Sequence, residues 1–452
     1  MKIEEKMAEY DLLILGAGTS GLPTSRVAAS QGKKVLLIGE KPIGGKCVNY
    51  GCTPTKFLVY TTKLYKEALK AKDFGIKTGS VEINFTNAMD LTRNLVQESL
   101  NQNEQRLANI DNIEFIPKIG KFVNDTDVQI ERETFSAKCN LIATGARNFI
   151  PPIKGLDEVE FLTPKNVWGL HKLPKSIGFI GGGFISCEFA SIFNTFGSEV
   201  SIFERGPRII GRADELISKN LRNYFIEDNI KIYNNIGIEA VKNERENIVL
   251  ELNSGESVSL KKLMVATGSQ GNTETINAEA ANIKIDQRGY VVIDNFLKTS
   301  NPNVWAIGDV VGKQQFTHMA LKESKAVIQN MFGDKQLKIR FDNIPYAAFT
   351  DPPIGSIGKT EQELKAENVP FEVAQTELPK CSRGFIMKLK RGHVKILHNK
   401  KEIFGCHIIG ENADNLVHEI VPLVGLPNGW EIFNDIIHAH PTLAEIFTNL
   451  QN

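Results

Sequence analysis

Two cysteines of this chain lie close together in a glycine-rich stretch, GGKCVNYGCTPTK, at residues 44–56. Cys47 and Cys52 are two of only six cysteines and stand five positions apart. Five residues of a regular helix rise about 7.5 Å, whereas a disulfide needs Cα atoms within roughly 6.8 Å of each other. A bridge therefore requires a break in the helix, and Gly51 and Pro54 are residues that can make one.

Three kinds of chemistry compete for this cysteine pair. A structural disulfide closing so small a loop would stabilise the fold by about 2 kcal/mol in the chain-entropy model, and such bonds are rare in a reducing cytosol. A zinc site would need a second Cys or His pair nearby, whereas Cys139 and Cys187 lie in apolar segments, where buried structural thiols are expected. We therefore favour a pair that cycles between dithiol and disulfide, and we expect no bound metal.

A histidine near the end of the sequence is the natural acid–base partner for such a pair. Thiol attack requires a thiolate, and histidine exchanges protons near neutral pH. The stretch IHAHPTLAE contains His438 and His440, and Glu445 follows His440 by five positions. A lone histidine is usually a surface or structural residue. Taken with the upstream dithiol, however, we predict that His440 is the acid–base residue, that Glu445 orients its ring, and that His438 is not catalytic.

The segment at residues 10–40 has the pattern of a dinucleotide-binding unit. An apolar strand at residues 12–15 leads into Gly16-Ala17-Gly18-Thr19-Ser20-Gly21, a helical pattern and a second strand at residues 35–38. The three glycines suit a tight turn, a close approach to a pyrophosphate and close helix–strand packing, and the helix N-terminus favours a phosphate. Glu40 follows Gly21 by nineteen positions, where its carboxylate is placed to accept hydrogen bonds from a ribose.

The same pattern returns at residues 176–204, which predicts a second nucleotide and therefore redox chemistry. Here the turn is Gly181-Gly182-Gly183-Phe184-Ile185-Ser186, with a small serine at the third glycine position, and Glu204 closes the second strand. A carboxylate at this position favours the ribose hydroxyl of NAD over the 2′-phosphate of NADP. Nearby arginines can offset that preference (Arg205, Arg208 and Arg212). We expect NAD, without excluding NADP.

The composition is that of a soluble multidomain protein. The 452 residues exceed what one compact core holds, so several domains are expected. The formal net charge is zero, which gives no overall field to attract nucleic acid or an anionic membrane. No apolar run reaches the length of a membrane span, and charged residues stand where a signal peptide would need its apolar stretch. We therefore expect a cytoplasmic protein with no nucleic-acid or membrane partner.

The rest of the chain alternates strands with helices. Helical patterns cover residues 58–71 and 85–108, and short strands cover residues 112–139. Two matching phrases, IATG and VATG, end at Gly145 and Gly268 and close the two nucleotide units. From about Phe341 the pattern changes to strands and amphipathic helices of a separate domain.

In order, the phrases GAGTSG, GGKCVNYGCTPTK, IATGA, GGGFIS, VATGS, AIGD and HAHPTLAEIF resemble the pyridine nucleotide–disulfide oxidoreductases. The resemblance covers essentially the whole chain. It implies an α/β fold with two Rossmann-like domains, for FAD and NAD(P), and a C-terminal α+β dimerisation domain. The implied domains are residues 1–150 for FAD, 151–270 for NAD(P)H, 271–338 for the return to the FAD or central part, and 339–452 for dimerisation.

The resemblance also implies roles for individual residues. Asp309 would bind the ribityl chain of FAD, Lys56 and Glu188 would pair beside its N5 atom, and His318 would lie near its ring. The full set implied for FAD is Gly16, Gly18, Gly21, Glu40, Gly45, Lys56, Gly120, Thr144, Gly145, Asp309 and His318. The set implied for NAD(P) is Gly181, Gly183, Ser186, Glu204 and Gly268. The catalytic set is Cys47, Cys52, His440, Glu445, Lys56 and Glu188.

The sequence departs from the family pattern at several positions. Lys46 stands where the cysteine motif usually has threonine, and Thr53-Pro54-Thr55 replaces the commoner Ile-Pro-Ser. Residues 269–272, SQGN, stand where Arg-x-Pro-Asn is usual. No departure removes a catalytic group.

By family position, Cys52 would be the thiol against the flavin, Cys47 would exchange with substrate, and His440 would come from the other subunit of a homodimer. The leading expectation is NAD-linked dihydrolipoamide dehydrogenase-like dithiol–disulfide exchange with a small molecule or a lipoyl domain. The alternative is a mercuric reductase-like or other NAD(P)H-dependent reductase of a small disulfide, a metal ion or a quinone, although the C-terminal cysteine pair of mercuric reductases is missing. A non-catalytic flavoprotein scaffold is the third interpretation.

Overall fold

The computed structural model describes residues 9–451. Its strands are β1 (Tyr10–Leu15), β2 (Val35–Ile38), β3 (Ile113–Ile116), β4 (Lys121–Phe122), β5 (Asp127–Ile130), β6 (Glu133–Ile142), β7 (Ala146–Asn148), β8 (Ser176–Ile180), β9 (Glu199–Glu204), β10 (Lys231–Asn234), β11 (Ile238–Glu244), β12 (Asn247–Leu252), β13 (Ser257–Leu260), β14 (Lys262–Val265), β15 (Ser269–Gly271), β16 (Val304–Ala306), β17 (Tyr346–Ala348), β18 (Ile354–Gly358), β19 (Glu372–Glu377), β20 (His393–His398) and β21 (Ile403–Ile409). Its α-helices are α1 (Gly21–Ser30), α2 (Gly45–Asn49), α3 (Cys52–Lys70), α4 (Phe85–Ala108), α5 (Phe184–Phe196), α6 (Glu215–Glu227), α7 (Thr317–Phe332), α8 (Glu361–Ala366), α9 (Ser382–Ile386), α10 (Ala413–Ile420) and α11 (Gly429–Asp435).

The chain divides into two compact units, each assembled from three segments. The described part of the first unit comprises residues 9–54, 90–149 and 269–341. That of the second comprises residues 55–89, 150–268 and 342–451. The four domain boundaries given above stay a prediction.

The first unit is built on a seven-stranded sheet in the order β3-β2-β1-β6-β5-β4, with β16 paired to β6. The strands β3, β2, β1, β6 and β16 pair in parallel. All four residues of β2 are buried, as expected for a parallel strand covered on both faces. The predicted strand–turn–helix–strand at residues 10–40 is therefore confirmed, and it places the first glycine-rich turn at the carboxyl end of β1.

The second unit contains the repeat of that arrangement and two further sheets. Strands β10-β9-β8-β14 form a four-stranded parallel sheet, and β11-β12-β13 form a three-stranded antiparallel sheet. Strands β17-β18-β21-β20-β19 form an antiparallel sheet in the C-terminal region, where a capping box between Thr360 and Glu363 starts α8. The expected α/β fold class, with an α+β C-terminal region, is confirmed.

The helical predictions hold with one change of boundary. Helix α4 has the predicted bounds, whereas α3 begins at Cys52, six residues before the predicted start. Among residues 9–451, no helix combines the length and the apolar character that crossing a bilayer requires.

Candidate active site

The two cysteines lie on either side of a break between two helices. Cys47 lies in the short helix α2, and Cys52 is the first residue of α3. Gly51 lies in the break, where an added Cβ would be only 2.8 Å from the carbonyl oxygen of Lys46. The predicted interruption is thus confirmed at Gly51. Pro54, which has no backbone N–H, lies in the first turn of α3, where proline is tolerated.

Both cysteines carry thiols in the structure, with Cys47 half-buried and Cys52 exposed. The pKa of Cys47 is raised, first by its hydrogen bond with Cys52 and then by burial, while a hydrogen bond with Thr317 opposes the shift. The two thiols are therefore within hydrogen-bonding reach, as a cycling dithiol requires.

Thr317 is a residue of this site that the sequence did not single out. Its hydroxyl oxygen lies 3.8 Å from the Cys52 sulfur, and it is the first residue of α7. The sequence analysis named the next residue, His318, whose exposed ring stacks on Phe316 with ring centroids 5.3 Å apart, and its predicted place near the flavin ring stays a prediction. The FTHMA phrase was the right signal, but the orientation of α7 decides which of its side chains reaches the sulfurs.

The segment that carries the cysteines packs directly on the first glycine-rich turn. An added Cβ at Gly45, the first residue of α2, would lie 2.8 Å from the Gly18 Cα atom. In the turn itself, an added Cβ at Gly21 would lie 1.8 Å from the Gly16 carbonyl oxygen. This close approach leaves no room for side chains where α1 begins, so that backbone N–H groups line the turn, which is the arrangement that binds a pyrophosphate. The residues of the first unit therefore fit the adenine dinucleotide that the sequence predicts.

Asp309 lies in a short turn, Gly308–Val311, between β16 and α7. Burial raises the pKa of its carboxyl group, and the positive charge of Lys46 opposes that shift. Lys46, a departure from the family motif, thus acts electrostatically on the carboxylate that the resemblance assigns to the flavin.

The remaining residues predicted for FAD lie in the first unit, apart from Lys56. Glu40 follows β2 and is exposed. Gly120 packs against side chains of β1 and β5, since a Cβ there would lie 2.9 Å from both Leu15 and Val128. The Thr144 hydroxyl donates to the Asn272 carbonyl oxygen at 2.7 Å, next to Gly145. These contacts position the peptide segments; the predicted cofactor roles stay predictions.

Lys56 and Glu188 form the predicted pair within the second unit. The Lys56 ammonium group donates to both carboxylate oxygens of Glu188, at 3.1 and 2.9 Å. The Glu188 carboxylate also accepts the Phe349 backbone N–H at 2.9 Å, and Lys56 lies over the Phe349 ring. Glu188 is almost fully buried, so its charge is balanced by a cation and a backbone donor, as a buried carboxylate requires.

In the second glycine-rich turn, backbone amides hold the terminal acid. One carboxylate oxygen of Glu204 accepts the Gly182 N–H and the other accepts the Gly206 N–H, both at 2.6 Å. Ser186 is buried one turn into α5, and its hydroxyl has no hydrogen-bond partner in the part of the chain described. Arg208 is paired with Glu215 at 2.6 Å.

The other residues predicted for NAD(P) are glycines at the ends of strands. Gly181 follows β8 and Gly183 precedes α5. Gly268 ends the VATG phrase after β14 and directly precedes β15. They lie at carboxyl ends of parallel strands, the edge at which α/β sheets bind ligands.

His440 and Glu445 form the expected pair in the C-terminal region. The Nδ1 atom of His440 lies 2.7 Å from a Glu445 carboxylate oxygen, and the histidine side chain is 66% exposed. A hydrogen bond at Nδ1 orients the ring and leaves Nε2 for proton exchange. His438 differs, because its side chain is 2% exposed and lies 2.6 Å from Glu419. This burial is compatible with the prediction that His438 is not catalytic, which stays a prediction.

Models of known families match almost the whole chain. The pyridine nucleotide-disulphide oxidoreductase model matches residues 10–324, and the dimerisation-domain model of the same family matches residues 344–451. The chain belongs to the pyridine nucleotide-disulphide oxidoreductases. The predicted resemblance is confirmed, and the dimerisation domain implies a homodimer.

Relatives within this family carry different activities. Glutathione reductase of Burkholderia cepacia is 29% identical over 98% of this chain and 99% of that protein. Dihydrolipoyl dehydrogenase of Chlamydia muridarum is 29% identical over 97% of this chain and 95% of that protein. The solved Cu(II) complex of RclA, an HOCl-induced flavoprotein disulfide reductase of Escherichia coli, is 27% identical with a TM-score of 0.88, over 97% of this chain and 99% of that one.

Members of this oxidoreductase family bind FAD and depend on NAD(P), so this chain is a flavin-dependent oxidoreductase acting on a disulfide. When bound, FAD supplies the two-electron link between nicotinamide and sulfur. Within the first unit, the residues that would hold it are those of the Gly16–Gly21 turn and Asp309.

Proposed function

We propose that this oxidoreductase cycles Cys47 and Cys52 between dithiol and disulfide, with dihydrolipoyl groups as substrate and NAD as the nicotinamide. The observation that carries the proposal is the helix break at Gly51, which brings the two thiols within hydrogen-bonding reach beside Thr317. A scaffold protein would need neither this break nor the His440–Glu445 pair.

In the direction of dihydrolipoyl oxidation, a substrate thiolate attacks the Cys47 sulfur of the disulfide, and Cys52 leaves as thiolate. The second substrate thiolate then attacks the first substrate sulfur in the mixed disulfide, so that the bond to Cys47 breaks, Cys47 leaves as thiolate and the cyclic substrate disulfide is released. His440 accepts the substrate's thiol protons at Nε2 while Glu445 holds Nδ1. Two electrons have then passed to the cysteines, and bound FAD would supply their transfer to nicotinamide.

Two features support the choice of substrate and nicotinamide. The dihydrolipoyl dehydrogenase relative matches over nearly the full length of both chains. The Glu204 carboxylate accepts the Gly182 N–H of the second glycine-rich turn, where its negative charge opposes the 2′-phosphate of NADP. Arg208, one of the arginines that could offset this charge, forms an ion pair with Glu215.

Reduction of a metal ion is the second candidate. The RclA structure shares the fold over nearly the whole chain and contains Cu(II). Under this alternative, the Cys47–Cys52 dithiol would deliver its electrons to the metal ion as substrate.

A side-by-side turnover assay tests these functions. Dihydrolipoamide, glutathione disulfide, Hg(II) and Cu(II) are each supplied with NAD(H) and with NADP(H). The proposal expects the highest kcat/KM for dihydrolipoamide with NAD. Efficient flavin reduction by NADH without lipoamide turnover would show that the substrate assignment is wrong.

The roles of the cysteines are tested by anaerobic titration with NADH. A cycling dithiol gives a long-wavelength thiolate–flavin absorption band, which a scaffold would not show. Cys47→Ser is expected to abolish disulfide turnover and to leave flavin reduction by NADH intact. Loss of both activities would contradict the assignment of Cys47 as the exchanging thiol.

A further inference from the structure

The turn that bears Asp309 is fitted tightly against the first glycine-rich turn. Gly308 has a left-handed backbone conformation with φ of +74°, and an added Cβ there would lie 2.0 Å from the Ser20 hydroxyl oxygen. Ser20 belongs to the GAGTSG turn. A small displacement of the Gly308–Val311 turn would therefore also displace the GAGTSG turn, and both turns belong to the predicted dinucleotide site.

A buried carboxyl group on α7 forms a hydrogen bond with the backbone of this turn. Glu323 is 1% exposed, and its carboxylate oxygen accepts the Gly308 N–H at 2.6 Å. Glu323 has no ion-pair partner among residues 9–451. The charged group that faces it is Asp309, whose own charge is influenced by Lys46. Burial raises the pKa of Glu323 to about 7; the hydrogen bond from Gly308 opposes this shift and the Asp309 charge reinforces it.

The neighbouring residue of α7 contacts the other turn. The Ser324 hydroxyl lies 3.2 Å from the Ser20 carbonyl oxygen and 2.8 Å from the Ala320 carbonyl oxygen of its own helix, which compete for its single proton. The side-chain amide of Gln315, just before α7, donates to the Asp309 carbonyl oxygen at 3.2 Å. Helix α7 thus contacts both turns through the adjacent residues Glu323 and Ser324. At Glu323 the helix carries a buried carboxyl group without an ion-pair partner among residues 9–451, although burying an apolar side chain there would cost less free energy.

We propose that Glu323 is a positioning residue that holds Asp309 in register with the Gly16–Gly21 turn for FAD binding. It acts through the Gly308 N–H and does not itself touch the reacting atoms. The inference deepens the proposed function at its cofactor site, and it rests on that function only for the role of Asp309.

Three variants of the full-length holoenzyme test this role. Glu323→Gln keeps an oxygen that can accept the Gly308 N–H, Glu323→Asp keeps the charge but shortens the reach, and Glu323→Leu removes the acceptor. Lys322→Gln, at the exposed neighbouring position, is the control. FAD release after dilution is followed by the rise in free-flavin fluorescence, together with the visible spectrum and reduction potential of the bound flavin.

We expect the Asp and Leu variants to release FAD on the order of tenfold faster or more, because a buried backbone donor is left unsatisfied. The Gln variant should release FAD at a rate within about twofold of the parent rate. Because glutamine keeps the hydrogen-bond acceptor but not the charge, this result would separate a hydrogen-bond role from a charge role. If the Glu323→Leu variant does not fold, the FAD-release rates of Glu323→Asp and Glu323→Gln still test the proposal. Parent-like release from the Asp variant, or equal loss in Gln and Asp, would overturn the proposal.

The same measurements in a Cys47→Ser background separate this inference from the proposed function. FAD release does not depend on dithiol cycling, so the Glu323 variants should keep their order there. A parent enzyme that fails to turn over any disulfide would refute the proposed function while leaving the FAD-release comparison intact.

Discussion

In the first glycine-rich turn, a methyl group at Gly21 would lie 1.8 Å from the Gly16 carbonyl oxygen, whereas the equivalent position of the second turn holds Ser186 with its side chain fully buried. The acids that close the two patterns differ as well. Glu40 is exposed, whereas Glu204 is held by two backbone N–H groups. The same sequence pattern therefore produces one turn that admits only glycine and another with room for a side chain.

The largest expected effect comes from Gly21→Ala. Its Cβ cannot be accommodated without moving the backbone of the turn, so we expect roughly 3 kcal/mol of destabilisation and loss of FAD. Thermal unfolding and flavin content measure it, with Ser30→Ala at the exposed end of α1 as the control. A stable variant that retains FAD would show that the two turns are less different than their packing indicates.

The next effect concerns the buried glutamates on α5 and α7, Glu188 and Glu323. Glu188 forms an ion pair with Lys56, whereas Glu323 has no ion-pair partner in the described part of the chain. The folded-state pKa of Glu323, about 7, lies above its ordinary value of 4.5. Between these pH values the folded state binds more protons than the unfolded state, so stability falls as pH rises, by about 3 kcal/mol at most.

Glu323→Gln should remove this pH dependence. The difference in thermal midpoint between variant and parent should grow in favour of the variant from pH 4.5 to pH 7 and then level off. A difference that stays constant over this range would show that Glu323 titrates normally. The Glu323 carboxyl faces Asp309, so Asp309→Asn in the same series reports the coupling between the two acids.

Glu204→Gln tests the acid of the second turn. Glutamine has only one oxygen to accept the Gly182 or Gly206 N–H, so we expect a loss of roughly 1–2 kcal/mol in stability. Removing the negative charge should also lower the ratio of kcat/KM for NADH over NADPH. An unchanged ratio would mean that Glu204 serves the turn alone and does not select the nicotinamide.

The smallest effect is expected for Ser186→Ala. The buried Ser186 hydroxyl has no hydrogen-bond partner in the described structure, so its removal should leave stability unchanged or raise it by at most about 1 kcal/mol. Ser191→Ala is the matched control on α5, because the Ser191 hydroxyl donates to the Cys187 carbonyl oxygen at 3.1 Å. Greater destabilisation by Ser186→Ala than by Ser191→Ala would contradict the prediction, because it would show that the Ser186 hydroxyl stabilises the fold.

Much of this site could be predicted from local pattern. The strand–turn–helix units, the break between Cys47 and Cys52, and the Lys56–Glu188 and His440–Glu445 pairs were all expected, and the structure contains them. The glycine and cysteine spacings are local constraints of backbone geometry, and the His440–Glu445 pair followed from the chemistry that a dithiol needs, whereas the Lys56–Glu188 pair came from resemblance to a known family. The exact roles of these residues in binding and catalysis stay predictions.

The sequence alone determined the order of the elements and the redox chemistry, because hydrophobic periodicity, glycine placement and paired thiols act over a few residues. Tertiary structure decided which side chains meet. Thr317 reaches the cysteines across 265 positions, and Glu323 reaches back fifteen positions to Gly308. The Glu204 carboxylate spans 22 positions to Gly182. Such contacts depend on how whole elements pack, and no local pattern encodes the direction in which a helix presents its residues.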